Sequence, residues 1–300
     1  MKKYLCCLLA ITIILSSCFN EMTGTEDGSI TAGNLSIYFE NTFNERTKKN
    51  GAVVLLHAGL QDHTMWDKQV KELSKEYQVI VIDLPYHGRS MGSDTTILAA
   101  DVIKLVLDNR KLQKVSIAGL SMGASVAQDF VIAYPQRVNK AIFISAGING
   151  YEVDHPIDSI SSQWWPHFQQ ALEKKDTATA AKEFTKAWAE GVYRSADSLK
   201  APVSQYVYKT TLENLRKHKM EAWPLLQSNP VGYKNIASIK VPVLIIDGDK
   251  DLPYIAQTSA YLENNIPGAK RITIKDVAHM LNMEKPGEVN KAILEFLKAK

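Results

Sequence analysis

The sequence predicts an α/β fold in which a mostly parallel sheet is covered by helices on both faces. Two observations carry this prediction. Short, continuous apolar runs such as Val79-Ile80-Val81-Ile82 are typical of strands that are buried on both faces. These runs alternate with longer amphipathic segments of helical spacing, which is the pattern of parallel strands joined by helices.

Each element is predicted from its apolar pattern and its length. The segments predicted as strands are residues 35–39, 52–56, 76–83, 115–118, 141–144, 241–246 and 271–274. The segments predicted as helices are approximately residues 65–75, 97–109, 122–134, 256–264 and 287–298.

One long segment breaks this alternation. Residues 150–236 contain no strand of the buried type, and their helical patterns carry a cluster of aromatic side chains. Because the segment lies between two core strands, we expect a helical cap inserted into a core of residues 34–149 and 237–300. Most of the aromatic residues are expected to pack inside the cap and on the core, with one or two lining a pocket. They are Trp164, Trp165, Phe168, Phe184, Trp188, Tyr193, Tyr206, Tyr208 and Trp223.

The composition argues against several classes of function. The chain has 300 residues, of which 45% are hydrophobic, and a formal net charge of +3. It is therefore long and apolar enough for a large core. Its charges are scattered in both signs, so no nucleic-acid partner is expected. No cluster of His and Cys residues has the spacing of metal ligands, so neither a metal nor another cofactor is expected.

The N-terminus has the pattern of an export signal. Met1-Lys2-Lys3 is basic and residues 4–15 are almost wholly apolar, a run too short to span a membrane comfortably. The following Leu15-Ser16-Ser17-Cys18 resembles a bacterial lipobox, which predicts cleavage after residue 17 and lipidation of Cys18. An ordinary signal peptide and an uncleaved anchor are the alternatives.

This interpretation predicts where the protein is located. It would be exported and held by its N-terminal lipid on a bacterial membrane, on the periplasmic or cell-surface side. The polar residues 18–33 have little to bury and are predicted to be a flexible tether. All three cysteines lie in the first 18 residues, so no disulfide is expected in the mature chain.

The most informative motif is Gly119-Leu120-Ser121-Met122-Gly123, which lies between a predicted strand and a predicted helix. This context matches the G-x-S-x-G turn that presents a nucleophilic serine. The turn strains the serine backbone, and glycines flank it because a Cβ there would crowd the turn. We therefore predict that Ser121 is a nucleophile.

A serine nucleophile needs a base and an acid that orients the base. Asp251 is the predicted acid, because Asp247 belongs to the strand end, Asp249 suits the turn, and Asp251 lies past the turn where its side chain can fold back over the strand ends. His279 is the predicted base, because it follows the last strand and precedes the last helix. The other histidines have weaker cases. His155, His167 and His218 lie in the insertion, His63 and His87 lie in loops of the surface type, and His57 is assigned a structural role.

The oxyanion of an acyl intermediate needs two backbone N–H donors. Met122, which follows the nucleophile, is predicted to supply one. Gly59, in the loop after the strand at residues 52–56, is predicted to supply the other, with Leu60 as the alternative. His57 is expected to hold this loop by hydrogen bonds.

Four blocks of the chain together resemble the α/β-hydrolase superfamily over about residues 34–300. They are Leu55-Leu56-His57-Ala58-Gly59 with Trp66 downstream, Asp83-Leu84-Pro85-Tyr86-His87-Gly88-Arg89-Ser90, the serine turn, and Gly248-x-x-Asp251 with Ala278-His279-Met280. The resemblance implies a mostly parallel eight-stranded sheet with a helical cap. It also implies a Ser-His-Asp serine hydrolase. Two positions depart from the usual pattern: Ala58 stands where the family usually has glycine, and Tyr86 where it often does.

The favoured function is therefore hydrolysis of a carboxylic ester or related acyl bond in a small molecule, without a cofactor. The same residues would serve a C–C bond hydrolase, a lactonase, an aminopeptidase or a cofactor-free haloperoxidase, because fold and triad do not determine the substrate. A lipoprotein that binds a small ligand at an inactive site is the non-enzymatic alternative. The oligomeric state cannot be read from the sequence.

Overall fold

The computed structural model describes residues 24–92, 97–194, 201–218 and 232–299. Its centre is an eight-stranded sheet, as predicted. The strands are β1 (Gly24–Ala32), β2 (Leu35–Phe43), β3 (Ala52–Leu56), β4 (Gln78–Ile82), β5 (Val115–Leu120), β6 (Val138–Ile144), β7 (Val243–Gly248) and β8 (Lys270–Ile274).

The sheet is parallel from β4 to β8 and has two antiparallel strands at one edge. The strand order is β1-β2-β4-β3-β5-β6-β7-β8, with β1 paired to β2 and β2 paired to β4 in antiparallel register. The order turns back at β3, which lies between β4 and β5. In sheets of this kind, ligands bind beyond the carboxyl ends of the strands near such a reversal.

Helices cover both faces of the sheet and also lie in the described part of the segment between β6 and β7. Those of the core are α1 (Glu45–Lys49), α2 (Asp67–Leu73), α3 (Ala99–Asn109), α4 (Met122–Ala133), α10 (Pro253–Asn265), α11 (Leu281–Glu284) and α12 (Pro286–Lys298). Those between β6 and β7 are α5 (Ser159–Ser162), α6 (Trp165–Glu173), α7 (Thr177–Thr185), α8 (Ala201–Lys217) and α9 (Gly232–Asn235). The predicted helical cap is therefore confirmed as part of the fold.

The two faces of the sheet form two separate apolar clusters. In β3 the side chains alternate between them: Val54 and Leu56 belong to one cluster, and Val53 and Leu55 to the other. This alternation follows from the two-residue period of a strand. All four side chains are fully buried, so the continuous apolar run at residues 52–56 reflects a strand covered on both faces.

The tether predicted for residues 18–33 is wrong for Gly24–Ala32, which form β1. The nine residues of β1 pair with nine residues of β2 in one antiparallel ladder, and their side chains are mostly exposed. Main-chain hydrogen bonds and polar contacts hold the strand, including one from the Tyr38 hydroxyl to Asp27 Oδ2 at 3.2 Å. A strand at the sheet edge needs no apolar face, so a search for buried residues misses it.

Candidate active site

The serine turn has the strained backbone that its motif predicts. Ser121 lies between β5 and α4 with φ 57° and ψ −117°, a left-handed conformation that is rare for a residue with a side chain. The two glycines make this turn possible. A Cβ at Gly119 would lie 2.1 Å from the carbonyl oxygen of Gly123, which is far inside any van der Waals contact.

Gly123 also allows α4 to approach β3. A Cβ on Gly123 would lie 2.3 Å from the carbonyl oxygen of Leu56 and 2.6 Å from that of His57. The start of α4 therefore lies directly against the end of β3. Met122 is the first residue of α4, and the first N–H groups of a helix have no partner inside it. The Met122 N–H is therefore close to the end of β3, and the loop that follows β3 can supply a second N–H donor beside it.

The structure brings His279 and Asp251 together. His279 Nδ1 lies 2.9 Å from Asp251 Oδ2 and 3.1 Å from Oδ1, and both residues are buried. Asp251 Oδ1 also accepts a hydrogen bond of 2.8 Å from the Leu252 N–H, which fixes the carboxylate. The opposite ring nitrogen, His279 Nε2, is buried and makes no hydrogen bond to the described part of the chain. Ser121 and His279 line the same cavity, where Nε2 remains available for a proton.

The two competing aspartates have partners elsewhere. Asp247 forms an ion pair with Arg271, whose Nε lies 2.9 Å from Asp247 Oδ2. Asp249 Oδ1 accepts a hydrogen bond of 2.7 Å from the Asp276 N–H and so stabilises the turn. Of these three aspartates, Asp251 is the one that contacts His279.

The loop after β3 presents Ala58 and Gly59 to the same cavity. The Ala58 N–H donates a hydrogen bond of 3.2 Å to Met65 Sδ, so this donor is already engaged. His57 holds the loop as expected: its Nδ1–H donates to the Ala58 carbonyl at 2.8 Å, and its Nε2 accepts from the Leu84 N–H at 2.9 Å. Burial lowers the pKa of His57, in agreement with a neutral ring that accepts a hydrogen bond.

His63 and His87 lie in the protein interior, so their placement in surface loops is wrong. His63 Nδ1 lies 2.8 Å from Asp83 Oδ1, and His63 Nε2 lies 3.1 Å from Glu40 Oε1. Burial alone would lower the pKa of His63, but the hydrogen bond and charge of Asp83 outweigh it and raise this pKa. Burial lowers the pKa of His87 to about 3, so this ring is neutral.

A cap tryptophan that the sequence analysis did not single out lies against the predicted base. The rings of Trp188 and His279 have centroids 4.4 Å apart and an interplanar angle of 53°. Trp188 also packs edge-on against Trp164, at 5.6 Å between centroids. The sequence does contain a pattern that points to this packing. Trp164 and Phe168 are four residues apart, as are Phe184 and Trp188, so each pair lies on one side of a helix.

The cavity that joins these groups has a volume of about 350 Å³ and a mostly apolar lining. Among the described residues, no lysine, arginine, aspartate or glutamate lines it. The lining consists of Ala58, Gly59, Ser121, Met122, Ile157, Ser162, Trp164, Trp165, Phe184, Trp188, His279 and Met280. The site can therefore place a small apolar group beside a serine hydroxyl and an imidazole.

Two further findings concern metals and membranes. Within residues 24–92, 97–194, 201–218 and 232–299, no three His, Cys, Asp or Glu side chains are grouped as metal ligands would be. No helix in those ranges is both long and apolar enough to cross a bilayer. Cys18, the predicted lipidation site, lies outside the described residues, and so does Trp223 of the aromatic cluster.

Comparison with known proteins assigns the fold. The model of a family described as having the α/β hydrolase fold matches residues 51–286, which is well over half of the chain. The chain belongs to the α/β hydrolase fold family. Carboxylesterase YbfK of Bacillus subtilis (strain 168) is 25% identical to this α/β hydrolase over 252 residues, which cover 82% of the chain and 80% of that protein.

A second similar relative has a different named activity. The 2-hydroxy-6-oxononadienedioate/2-hydroxy-6-oxononatrienedioate hydrolase of Burkholderia vietnamiensis is 27% identical over 274 residues, 85% of this chain and 90% of that protein. Both relatives and the family identify this α/β hydrolase as an enzyme of the hydrolase class.

Solved structures agree on the fold. The crystal structure of carboxylesterase CesB (YbfK) from Bacillus subtilis has a TM-score of 0.72 at 20% identity and covers 92% of each chain. The structure of a bromoperoxidase from Bacillus anthracis has a TM-score of 0.75 at 22% identity, with 92% of this chain and 100% of that one covered. At such identities the likeness shows the shared fold.

We predict that Gly123→Ala destabilises the α/β hydrolase by more than about 1 kcal/mol, because the new methyl group would collide with two backbone carbonyls. Gly287→Ala is the matched control, since no atom lies within 4 Å of a Cβ there and the residue is in the first turn of α12. Urea unfolding of the two variants and the wild type measures both effects. Equal stabilities for the two variants would contradict the packing described at the serine turn.

A second prediction concerns the buried contact between His63 and Asp83. Because the folded-state pKa of His63 is raised, its stabilising effect is complete below the unfolded pKa of about 6.5 and is lost as pH rises through the folded value. The free energy of unfolding of the wild type should therefore exceed that of His63→Gln most at low pH, with the gap narrowing above neutrality. His167→Gln, at an exposed site on α6, is the matched control for the loss of one histidine. If the difference in unfolding free energy between the wild type and His63→Gln widened with pH, the raised pKa of His63 would be refuted.

Proposed function

We propose that this α/β hydrolase is a serine esterase that cleaves carboxylic esters with small apolar acyl groups. One observation carries the proposal: Ser121 and His279 line one cavity that has no lysine, arginine, aspartate or glutamate in its described lining, and the other ring nitrogen of His279 is held by Asp251. The apolar lining suits an alkyl or aryl acyl group. The named activity of the Bacillus subtilis relative, a carboxylesterase, supports the same class of substrate.

In the proposed reaction Ser121 attacks the ester carbonyl. His279 Nε2 takes the hydroxyl proton and then gives it to the leaving alcohol. Asp251 holds the Nδ1–H by the contact of 2.9 Å and stabilises the imidazolium that forms. Water then attacks the acyl-enzyme. His279 Nε2 takes a proton from this water and gives it to the Ser121 oxygen as the acid product leaves.

The negative charge on the carbonyl oxygen needs donors that are already in place. We assign this role to the N–H groups of Met122 and Gly59, because both residues line the cavity beside Ser121 and α4 lies against the end of β3. Fixed donors of this kind lower the barrier by roughly 3 kcal/mol each, because they require no reorganisation when the charge develops. Ala58, where the family usually has glycine, engages its own N–H with Met65. Of the two remaining candidates, Gly59 and Leu60, Gly59 is the one that lines the cavity, which supports it as the donor.

The rival function is hydrolysis of a C–C bond, as the name of the Burkholderia vietnamiensis relative states for that protein. Its named substrates are dioates and carry two carboxylates. A carboxylate that enters this cavity would meet no cationic side chain among the described lining residues. Leaving such a charge unpaired in an apolar site costs several kcal/mol, so the lining favours a neutral ester.

We also propose that lipidation of Cys18 holds the enzyme on the membrane. The support is the basic start, the apolar run and the lipobox-like Leu15-Ser16-Ser17-Cys18 of the sequence. Several acyl chains on one cysteine anchor a domain durably.

Substitution of the nucleophile tests the esterase directly. Ser121→Ala should reduce kcat/KM for p-nitrophenyl butyrate by at least about 10⁴-fold, because the triad acts as a unit. Ser162→Ala, which changes a second serine in the cavity lining, should retain activity within a few-fold. A fluorophosphonate should label the wild type and fail to label Ser121→Ala. Unlabelled wild type would favour a binding protein with an inactive site.

The charge of the acyl group tests the substrate class. Butyrate and succinate esters of p-nitrophenol have acyl chains of the same length, but the succinate ester carries a free carboxylate. We predict that kcat/KM is more than about 100-fold higher for the butyrate ester, since the carboxylate would be desolvated without a partner. Preference for the succinate ester would contradict the proposed apolar acyl group, and faster turnover of a dioate β-diketone would transfer the assignment to C–C hydrolysis.

The anchor is tested by cell fractionation. The wild-type protein should sediment with membranes and take up radiolabelled palmitate, whereas Cys18→Ser should do neither. Cys6→Ser is the matched control, because Cys6 lies before the predicted cleavage site and should not affect either result. A membrane-bound, unlabelled wild type would indicate an uncleaved anchor instead.

A further inference from the structure

The segment that carries Trp188 contacts the core beside both His279 and Asp251. Trp188 lies in a π-helical turn, Lys186–Glu190, that continues α7. The turn ends at Gly191, which has a φ of 78°. A Cβ on Gly191 would lie 3.0 Å from the Ala278 side chain and 3.2 Å from the Lys250 carbonyl oxygen. Ala278 precedes His279 and Lys250 precedes Asp251, so one glycine packs against both loops.

An ion pair fastens the same segment to the core. Arg194 and Glu284 of α11 form a two-pronged contact, and only 8% of each side chain is exposed. Arg194 also donates to the carbonyl oxygens of Ala189 at 2.8 Å and Glu190 at 2.9 Å, which closes the π-helical turn. Charge-assisted, forked contacts of this kind are both strong and geometrically specific.

Glu284 transmits this contact to the predicted base. Its Oε1 lies 3.1 Å from Arg194 and accepts a hydrogen bond of 3.2 Å from the Ala278 N–H. A single carboxylate oxygen therefore joins the cap to the peptide that precedes His279. Trp188 packs against the imidazole, and the same arginine donates hydrogen bonds to the two residues that follow Trp188.

We propose that Arg194 and Glu284 are positioning residues that set the orientation of His279 through the Ala278 N–H. The inference rests on the proposed function, in which His279 is the base. A displacement of about 1 Å at a reacting group lowers a rate by about 100-fold. The hydrogen bond from the Ala278 N–H to Glu284 is then the interaction that affects the rate. The ion pair with Arg194 holds the Glu284 carboxylate in place to accept it.

Two double variants distinguish a role in positioning His279 from a role only in attaching the cap to the core. Arg194→Met with Glu284→Gln removes both charges and keeps an oxygen that can accept from Ala278. Arg194→Met with Glu284→Leu removes both charges and the acceptor. A buried ion pair can be replaced by neutral groups with little loss of stability, so both proteins should fold with similar Tm.

We expect kcat of the Gln variant to stay within about 3-fold of the wild-type value. We expect kcat of the Leu variant to fall by between about 10-fold and 100-fold. The KM for p-nitrophenyl butyrate should change little in either variant. Equal kcat values for the two would overturn the inference. The Ala278 amide of the wild type should in addition be protected from hydrogen exchange, and an unprotected amide would overturn the inference even if the Leu variant failed to fold. Failure of the proposed function is a separate result, because it would leave Ser121→Ala as active as the wild type.

Discussion

The close approach of α4 to the end of β3 is the constraint on which the active-site geometry depends. The carbonyl oxygens of Leu56 and His57 occupy the space that a side chain at Gly123 would need. Because no side chain is there, the helix that begins after Ser121 starts directly beside the loop that follows β3. The nucleophile and both proposed oxyanion donors are therefore positioned by one backbone contact, within the part of the sheet that is buried on both faces.

The neighbouring loops are held by buried polar groups that take no part in the proposed chemistry. His57 joins the ends of β3 and β4, and Asp83 accepts hydrogen bonds from the backbone and ring of His63 and from the Arg89 N–H. Such networks favour one loop conformation because an unpaired buried polar group is costly. The loops that carry the proposed site thus rest on a framework of buried hydrogen bonds, which is what fixed donors require.

The features that could be predicted from the sequence are those with a local signature. The serine turn is visible because its glycines are required by the backbone at Ser121. Asp251 is visible because it follows a buried strand, and His279 because it lies between the last strand and the last helix. Strand β1 was missed because it buries almost nothing, and its pairing with β2 depends on main-chain atoms that carry no sequence signal.

The contacts between cap and core have no local signature. Arg194 and Glu284 are 90 positions apart and resemble any two charged residues until the fold brings them together. Likewise, no sequence pattern pairs His63 with Asp83. The structure shows that both side chains are buried and in contact. The cap aromatics pack on one another as expected, but four of them line the cavity where one or two were expected: Trp164, Trp165, Phe184 and Trp188. The three-dimensional structure was needed to identify Trp188 as the ring against His279.

The position of β1 also limits how far the enzyme could stand from a membrane. An extended chain spans at most about 3.5 Å per residue, so residues 18–23 could bridge about 20 Å between an acylated Cys18 and the start of β1. A domain of this length is on the order of 45 Å across. An anchored enzyme would therefore keep the β1 edge of its sheet close to the lipid headgroups. Steric exclusion by the bilayer would then hinder other chains from adding a strand to that open edge.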